Sequence, residues 1–205
     1  MPVINSQALE AAQLARDPYN HVLVPGVITK DALDAANADF PVIDRPGSFP
    51  TGQLKYGPGF AALVDALEGP KLAAALGAKL GIELTGKPNM VRVRGRARPT
   101  DGQIHTDSSG KLVTVLLYMN PSWEDYGGQL RLVRSPTDLE DYAVEVPPDE
   151  GTLVAFPCIE NAWHGHHPFD GERRTIQLNW VNSHAYKKRE QIRHSISAFF
   201  KKLKA

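Results

Sequence analysis

The chain has 205 residues, of which 42% are hydrophobic and 22% are charged, as in a globular protein with a packed core. Its 23 Lys and Arg balance its 23 Asp and Glu, which argues against a bulk nucleic-acid binder or a basic membrane-surface protein. We find no apolar run of transmembrane length and no signal-peptide pattern, and the single cysteine, Cys158, cannot form an internal disulfide. We therefore expect a cytoplasmic protein with no nucleic-acid or membrane partner.

The first 87 residues are predicted to be mostly helical. Helices are expected from Ser6 to about Arg16, over 30–40, and on either side of Gly69-Pro70, with one short strand at 21–25. Residues 41–59 are rich in proline and glycine and predict a long loop, which is uncommon in a compact domain unless it has a function. Whether this loop forms a lid over a site is left open.

Short strands dominate from residue 88 onward. Alternating or continuous apolar runs, separated by turn signals such as Gly127-Gly128 and Asp170-Gly171, predict strands at 89–98, 111–119, 129–133, 142–146, 152–156 and 175–181. Six strands at this spacing indicate a sandwich or barrel. Residues 186–203 predict a basic amphipathic C-terminal helix, whose charged face either meets solvent or contacts an acidic partner. No linker is evident, so we expect a single domain over residues 1–205.

Three residues suggest a metal site. Residues i and i+2 of an extended segment point the same way, so His105 and Asp107 can present two ligands from one face. His164 can complete the set only through the fold, and His166, on the same strand face as His164, is an alternative. Two His and one carboxylate leave coordination positions open, as in non-heme Fe(II) oxygenases.

The segment around these residues resembles the prolyl-hydroxylase-like branch of the 2-oxoglutarate/Fe(II)-dependent dioxygenases. The matching features occur in order over residues 88–182: His105-X-Asp107, an apolar strand ending in Tyr118-Met119-Asn120, Trp123, Gly127-Gly128-X-Leu130, His164 with Pro168, and Arg173-Arg174-Thr175. The resemblance implies a double-stranded β-helix, a cupin-like jelly roll, as the core of an α+β fold. The N-terminal helices and the C-terminal helix would brace this catalytic core.

The same resemblance implies the cofactors and the residues that hold them. His105, Asp107 and His164 would bind Fe(II), and no catalytic residue is expected beyond these metal ligands. Arg173 would grip the distal carboxylate of the co-substrate 2-oxoglutarate, assisted by Tyr118 and Thr175, and O₂ would be the oxidant. Guanidinium is the natural bidentate partner of a carboxylate. Arg174 is the alternative to Arg173, but the two point to opposite strand faces.

The implied reaction is hydroxylation of an unactivated C–H bond, with succinate and CO₂ as co-products. The substrate is expected to be either a small molecule or a proline in a protein or peptide. Arginines alternate along residues 92–98, on either a solvated face or the mouth of the site. In the second case Arg94 would meet an anionic substrate, and His166 could also contact it.

Two other classes of function compete with this one. A non-redox jelly-roll or cupin-like module that binds a metal or ligand would not need Arg173 and Tyr118. A nucleic-acid binder that uses the C-terminal helix would be basic overall, and this chain is not. The oligomeric state is not predicted.

Overall fold

A computed structural model describes residues 2–190 and residue 192. Its helices are α1 (Ser6–Ala11), α2 (Lys30–Ala38), α3 (Pro58–Glu68) and α4 (Pro70–Leu80), with a 3-10 turn at Thr51–Gln53. Its strands are β1 (Leu14–Ala15), β2 (His21–Val24), β3 (Phe49–Pro50), β4 (Asn89–Ala97), β5 (Lys111–Tyr118), β6 (Leu130–Val133), β7 (Tyr142–Val146), β8 (Leu153–Pro157), β9 (His164–Gly165) and β10 (Gly171–Val181). Residues 184–190 are helical, and most of the C-terminal helix predicted at 186–203 lies outside the described residues.

The strands form two antiparallel sheets. The larger has seven strands in the order β1-β2-β8-β5-β10-β4-β3, and the smaller has three in the order β7-β6-β9. The mainly β core with added helices agrees with the predicted fold class. No helix in the described part of the chain is long and apolar enough to cross a membrane. The single domain and the cytoplasmic location stay predictions.

The two faces of the larger sheet have different roles because side chains alternate along a strand. On β10, Ile176 and Leu178 belong to a core cluster that includes residues of all four helices, α1 to α4. Arg173, Thr175 and Gln177 point the other way and line a cavity. A second apolar cluster joins this inward face to the smaller sheet. The inward face is therefore polar where it lines the cavity and apolar where it packs on the smaller sheet.

The N-terminal part contains more strand than expected. The first helix ends at Ala11 rather than near Arg16, because the chain becomes extended and Leu14–Ala15 pairs with β2. The side chain of Asn5 caps α1 by accepting from the Ala8 N–H. The two helices predicted around Gly69-Pro70 are present as α3 and α4.

The long loop at 41–59 is fastened to the sheet. Its strand β3 pairs with β4 through Phe49 and Val93, and Ile43 packs so closely on Gly95 that a Cβ there would lie 2.6 Å from the Ile43 Cβ. In the structure as described, no residue of 41–59 lines the cavity. This placement gives the loop a packing role at the edge of the sheet.

Candidate active site

His105, Asp107 and His164 lie together at the inner face of the larger sheet. One ligand atom from each falls within 4.8 Å of the other two, a group that we call the ligand cluster. The two histidines meet through an isolated antiparallel bridge, in which each backbone N–H donates to the other residue's carbonyl at 3.0 Å. This bridge brings together residues that are distant in sequence, which the i, i+2 pattern of His105 and Asp107 could not do alone.

Backbone carbonyls fix the tautomers of both histidines. Nδ1 of His105 donates to the Gln103 carbonyl at 2.8 Å, and Nδ1 of His164 donates to the Ala162 carbonyl at 2.9 Å. Each ring therefore presents the lone pair of Nε2 to the cluster. Burial lowers the pKa of His164 to about 4, so this ring is neutral at neutral pH and ready to bind a metal.

A network of polar side chains holds Asp107. The Lys111 Nζ lies 2.6 Å from Oδ1, the Thr114 hydroxyl donates to Oδ2, and Asn179 Nδ2 donates to the Thr114 Oγ1 at 2.7 Å. Burial alone would raise the pKa of Asp107, but the Lys111 charge and the hydrogen bonds hold the pKa below its ordinary value. The carboxylate is therefore ionised, as a metal ligand must be.

His166 lines the same cavity but is not in the ligand cluster. Its Nδ1 donates to the His167 carbonyl at 2.7 Å, and burial, with the nearby charge of Arg173, lowers its pKa to about 4. The ring is thus neutral and leaves Nε2 as an acceptor. Of the two histidines considered as the third ligand, the geometry favours His164.

A buried cation lies beside the cluster. Arg173 is 6% exposed, and its Nε donates to the Gly128 carbonyl at 2.8 Å. Its other nitrogens reach the Thr175 hydroxyl and the Tyr118 hydroxyl, each at 3.4 Å. Within the described residues no carboxylate pairs with Arg173. We call Arg173, Tyr118 and Thr175 the anion pocket.

The anion pocket has the donors that a carboxylate requires. Both hydroxyl oxygens accept from Arg173, so the protons of Tyr118 and Thr175 are free to be donated to a ligand. Arg174 faces the opposite side, where its guanidinium stacks on Phe40, 5.1 Å from the ring centroid, and pairs with Glu172. Of the two arginines considered, only Arg173 enters the cavity.

Strand register places the ligand cluster and the anion pocket at opposite ends of one wall. Asn179 pairs with Thr114 beside Asp107, Gln177 pairs with Leu116, and Thr175 pairs with Tyr118. The cavity measures about 320 Å³. A ligand that bridges the metal and Arg173 would therefore lie along this wall.

Strand alternation points Arg173 inward, and the turn at Gly127 and Gly128 holds its guanidinium there. Their φ angles are 93° and 78°, a region that favours glycine, and the Gly128 carbonyl accepts from Arg173. A Cβ on Gly128 would also lie 2.8 Å from the Trp123 Cζ2. The motif noted in the sequence thus shapes the anion pocket through its backbone.

We expect Gly128→Ala to weaken carboxylate binding in the anion pocket. Strain at this φ and the contact with Trp123 would cost about 1–3 kcal/mol and move the Gly128 carbonyl away from Arg173. Gly86→Ala is the matched control, because Gly86 has φ 73° and open space around it. Urea unfolding and 2-oxoglutarate titration should show that both variants lose stability but only Gly128→Ala loses affinity. Equal affinities in the two variants would contradict this role.

Comparison with known families agrees with this geometry. Residues 96–182, somewhat less than half of the chain, match the model described as the 2OG-Fe(II) oxygenase superfamily. Residues 96–182 are therefore similar in sequence to this superfamily. At the level of sequence, no match to a curated protein was found. The predicted enzyme class, a 2-oxoglutarate-dependent oxygenase, and the predicted Fe(II) and 2-oxoglutarate cofactors are confirmed.

Solved structures extend the likeness to most of the chain. A prolyl-4-hydroxylase from Pseudomonas putida is 19% identical, with a TM-score of 0.56 over 80% of this chain and 88% of that one. A viral collagen prolyl hydroxylase from Paramecium bursaria Chlorella virus-1, in a 2OG complex, is 16% identical, with a TM-score of 0.57 over 82% and 99%. HygX from Streptomyces hygroscopicus, with nickel and 2-oxoglutarate bound, is 14% identical, with a TM-score of 0.55 over 80% and 82%. These likenesses confirm the double-stranded β-helix fold.

The chemistry of the side chains fits the two cofactors. Two imidazoles and one carboxylate form a donor set suited to Fe(II) with open positions. The buried and unpaired Arg173 requires an anion, and the distal carboxylate of 2-oxoglutarate supplies one. The fit rests on the buried charge of Arg173, which pairs with no carboxylate of the described residues, and on the ligand cluster.

Sequence reasoning missed several residues of the site. Lys111, Thr114 and Asn179 surround Asp107, and Gln177 and Asp101 line the cavity. Lys111, Thr114, Gln177 and Asn179 lie on predicted strands, and alternation from Arg173 and Thr175 could have placed Gln177 and Asn179 on the inward face.

Proposed function

We propose that the protein is an Fe(II)- and 2-oxoglutarate-dependent hydroxylase that acts on an unactivated C–H bond. The observation that carries the proposal is one cavity that holds an open His-Asp-His cluster and a buried arginine, which pairs with no carboxylate of the described residues. The expected reaction converts substrate, 2-oxoglutarate and O₂ into hydroxylated substrate, succinate and CO₂.

Three side chains of the ligand cluster would hold the metal. His105 and His164 bind the metal through Nε2, and Asp107 binds it through its carboxylate. When bound, Fe(II) supplies the oxidising chemistry that couples decarboxylation of 2-oxoglutarate to hydroxylation. Lys111 and Thr114 hold the Asp107 carboxylate in one orientation, so that it faces the metal site in every turnover.

The anion pocket would orient the co-substrate. Arg173 binds the distal carboxylate of 2-oxoglutarate, and the hydroxyl groups of Tyr118 and Thr175 each donate a hydrogen bond to it. Burial of Tyr118 raises the pKa of its phenol, which keeps this proton in place at neutral pH. The apolar Leu116 and Leu130 line the cavity and limit the access of water.

The substrate class remains either a small molecule or a proline in a protein or peptide. The structures of prolyl hydroxylases with the same fold support the second class, and the small cavity supports the first. A non-redox module would not account for the buried Arg173. No observation therefore favours that class of function over the oxygenase.

Succinate formation tests the proposal before a substrate is known. Anaerobically Fe(II)-loaded protein, given 2-oxoglutarate and O₂, is expected to form succinate slowly, and His105→Ala is expected to abolish this activity. His184→Ala is the control, because His184 is exposed and does not line the cavity. Absence of turnover, together with absence of 2-oxoglutarate binding to the metal-loaded protein, would favour the non-redox module.

A further inference from the structure

Arg94 adds a second cationic group to the cavity wall. It pairs with Thr175 in the register of β4 and β10, and Thr175 in turn pairs with Tyr118 of β5. These three residues thus form a row across the sheet with their side chains on the inward face. Tyr118 is fully buried, whereas the Arg94 side chain is 37% exposed and lines the cavity. Arg94 therefore lies at the mouth, next to the anion pocket.

The guanidinium of Arg94 is incompletely satisfied. Among the described residues it makes no hydrogen bond, and its one ion-pair partner is Asp101, at 3.8 Å. Asp101 is already held by Arg98, whose Nε donates to it at 3.0 Å. Burial lowers the pKa of Arg94, which reflects a charge partly removed from water without full compensation. Such a group gains when an anion binds to it.

The other arginines of the same strand are placed differently. Arg96 lies at the exposed rim, 3.8 Å from Asp170, and Arg92 pairs with Glu190 at 3.9 Å. Neither lines the cavity. The three arginines share one strand face, but only Arg94 lines the cavity, while Arg92 and Arg96 form ion pairs outside it.

Gln177 is the register partner of Arg92 on β4 and also lies close to Arg94. It occupies the next inward position on β10 after Thr175, which makes it a diagonal neighbour of Arg94 on the same face. Long side chains at such positions can reach a common ligand. Within the described residues the Gln177 side chain makes no hydrogen bond, although it lines the cavity. It can add a donor to an oxyanion held by Arg94.

The cofactors do not neutralise Arg94. The positive charges of Fe(II) and Arg173 balance the negative charges of Asp107 and the two carboxylates of 2-oxoglutarate. The cofactors therefore leave the positive charge of Arg94 uncompensated in the loaded enzyme. The cavity of about 320 Å³ is at the small end of the roughly 300–1,000 Å³ range of ligand pockets, and 2-oxoglutarate fills part of it. The remaining room suits a compact substrate.

We propose that Arg94, assisted by Gln177, binds a carboxylate or phosphate group of the substrate. The substrate is then a small anionic molecule rather than a neutral proline inside a peptide. This inference rests on the proposed function, since the target C–H bond must reach the metal while the anionic group contacts Arg94.

Anion binding to the loaded protein tests this subsite without knowledge of the substrate. Mn(II) replaces Fe(II), 2-oxoglutarate is kept at saturation, and acetate or inorganic phosphate is titrated while the line widths of their ¹H or ³¹P resonances are followed. Paramagnetic broadening that saturates at millimolar probe is expected for the unaltered protein. Tighter binding of acetate would indicate a carboxylate substrate, and tighter binding of phosphate a phosphorylated one.

Three variants assign the signal to Arg94. Arg94→Gln is expected to weaken probe binding at least tenfold, Arg94→Lys to retain most of it, and the control Arg96→Gln to leave it unchanged. No saturable broadening in the unaltered protein, or equal binding by Arg94→Gln, would overturn the proposal.

The affinity for 2-oxoglutarate separates the possible failures. It should be unchanged in Arg94→Gln, and a loss as large as that caused by an Arg173 variant would place Arg94 in the cofactor pocket instead. If the unaltered metal-loaded protein does not bind 2-oxoglutarate at all, the proposed function fails rather than the anion subsite alone.

Discussion

Asp107→Asn is expected to abolish tight metal binding and, with it, all succinate formation. Asp107 is the only anionic ligand in the cluster, and an amide oxygen does not replace its charge. The loss of metal affinity should exceed the roughly 10- to 100-fold cost of altering a residue that only supports a ligand. Titration with Mn(II), followed by the fraction of free metal, measures it directly.

The control for this variant lies in the same cavity. Asp101 is a carboxylate that lines the cavity but is not in the ligand cluster, so Asp101→Asn should keep the metal affinity. Lys111 loses its charged partner in Asp107→Asn, so circular dichroism should verify that the variant folds. Equal metal affinities in the unaltered protein and Asp107→Asn would exclude the proposed ligand set.

Arg173→Met is expected to separate co-substrate binding from metal binding. Loss of two charge-assisted hydrogen bonds should cost about 3 kcal/mol, or roughly a 100-fold weaker affinity for 2-oxoglutarate. The metal affinity should hardly change, because Arg173 is not among the metal ligands proposed. Calorimetric titration of the Mn(II)-loaded protein with 2-oxoglutarate gives the affinity.

The neighbouring arginine is the matched control. Arg174→Met removes the same charge from the opposite strand face, where the guanidinium contacts Phe40 and Glu172. It should leave the affinity for 2-oxoglutarate within about threefold, as expected of surface changes of up to roughly 0.5 kcal/mol. A larger loss in Arg174→Met than in Arg173→Met would mean that the anion pocket is wrongly assigned.

The sequence was most informative where local geometry decides the outcome. His105 and Asp107 need only an extended backbone to face the same way, and the choice of Arg173 over Arg174 needs only strand alternation. The β core could be predicted because β5 and β8 carry continuous apolar runs between turn residues. These features depend on residues close together in the chain.

Features that depend on tertiary contacts could not be predicted in the same way. Strand β9 has two residues, too few for any periodicity, yet it brings His164 to His105. The Gly128 carbonyl that orients Arg173 belongs to a loop far away in sequence. The alternating arginines look equivalent in the sequence, and only the position of the cavity distinguishes Arg94 from Arg96.

The central claim is that one cavity holds a metal and 2-oxoglutarate together, and calorimetric titration with 2-oxoglutarate tests it most directly. The metal-free protein and the Mn(II)-loaded protein are titrated under the same conditions. The account predicts one equivalent of 2-oxoglutarate bound to the loaded protein and much weaker binding to the metal-free protein. Equal binding with and without metal, or no binding to the loaded protein, would contradict it.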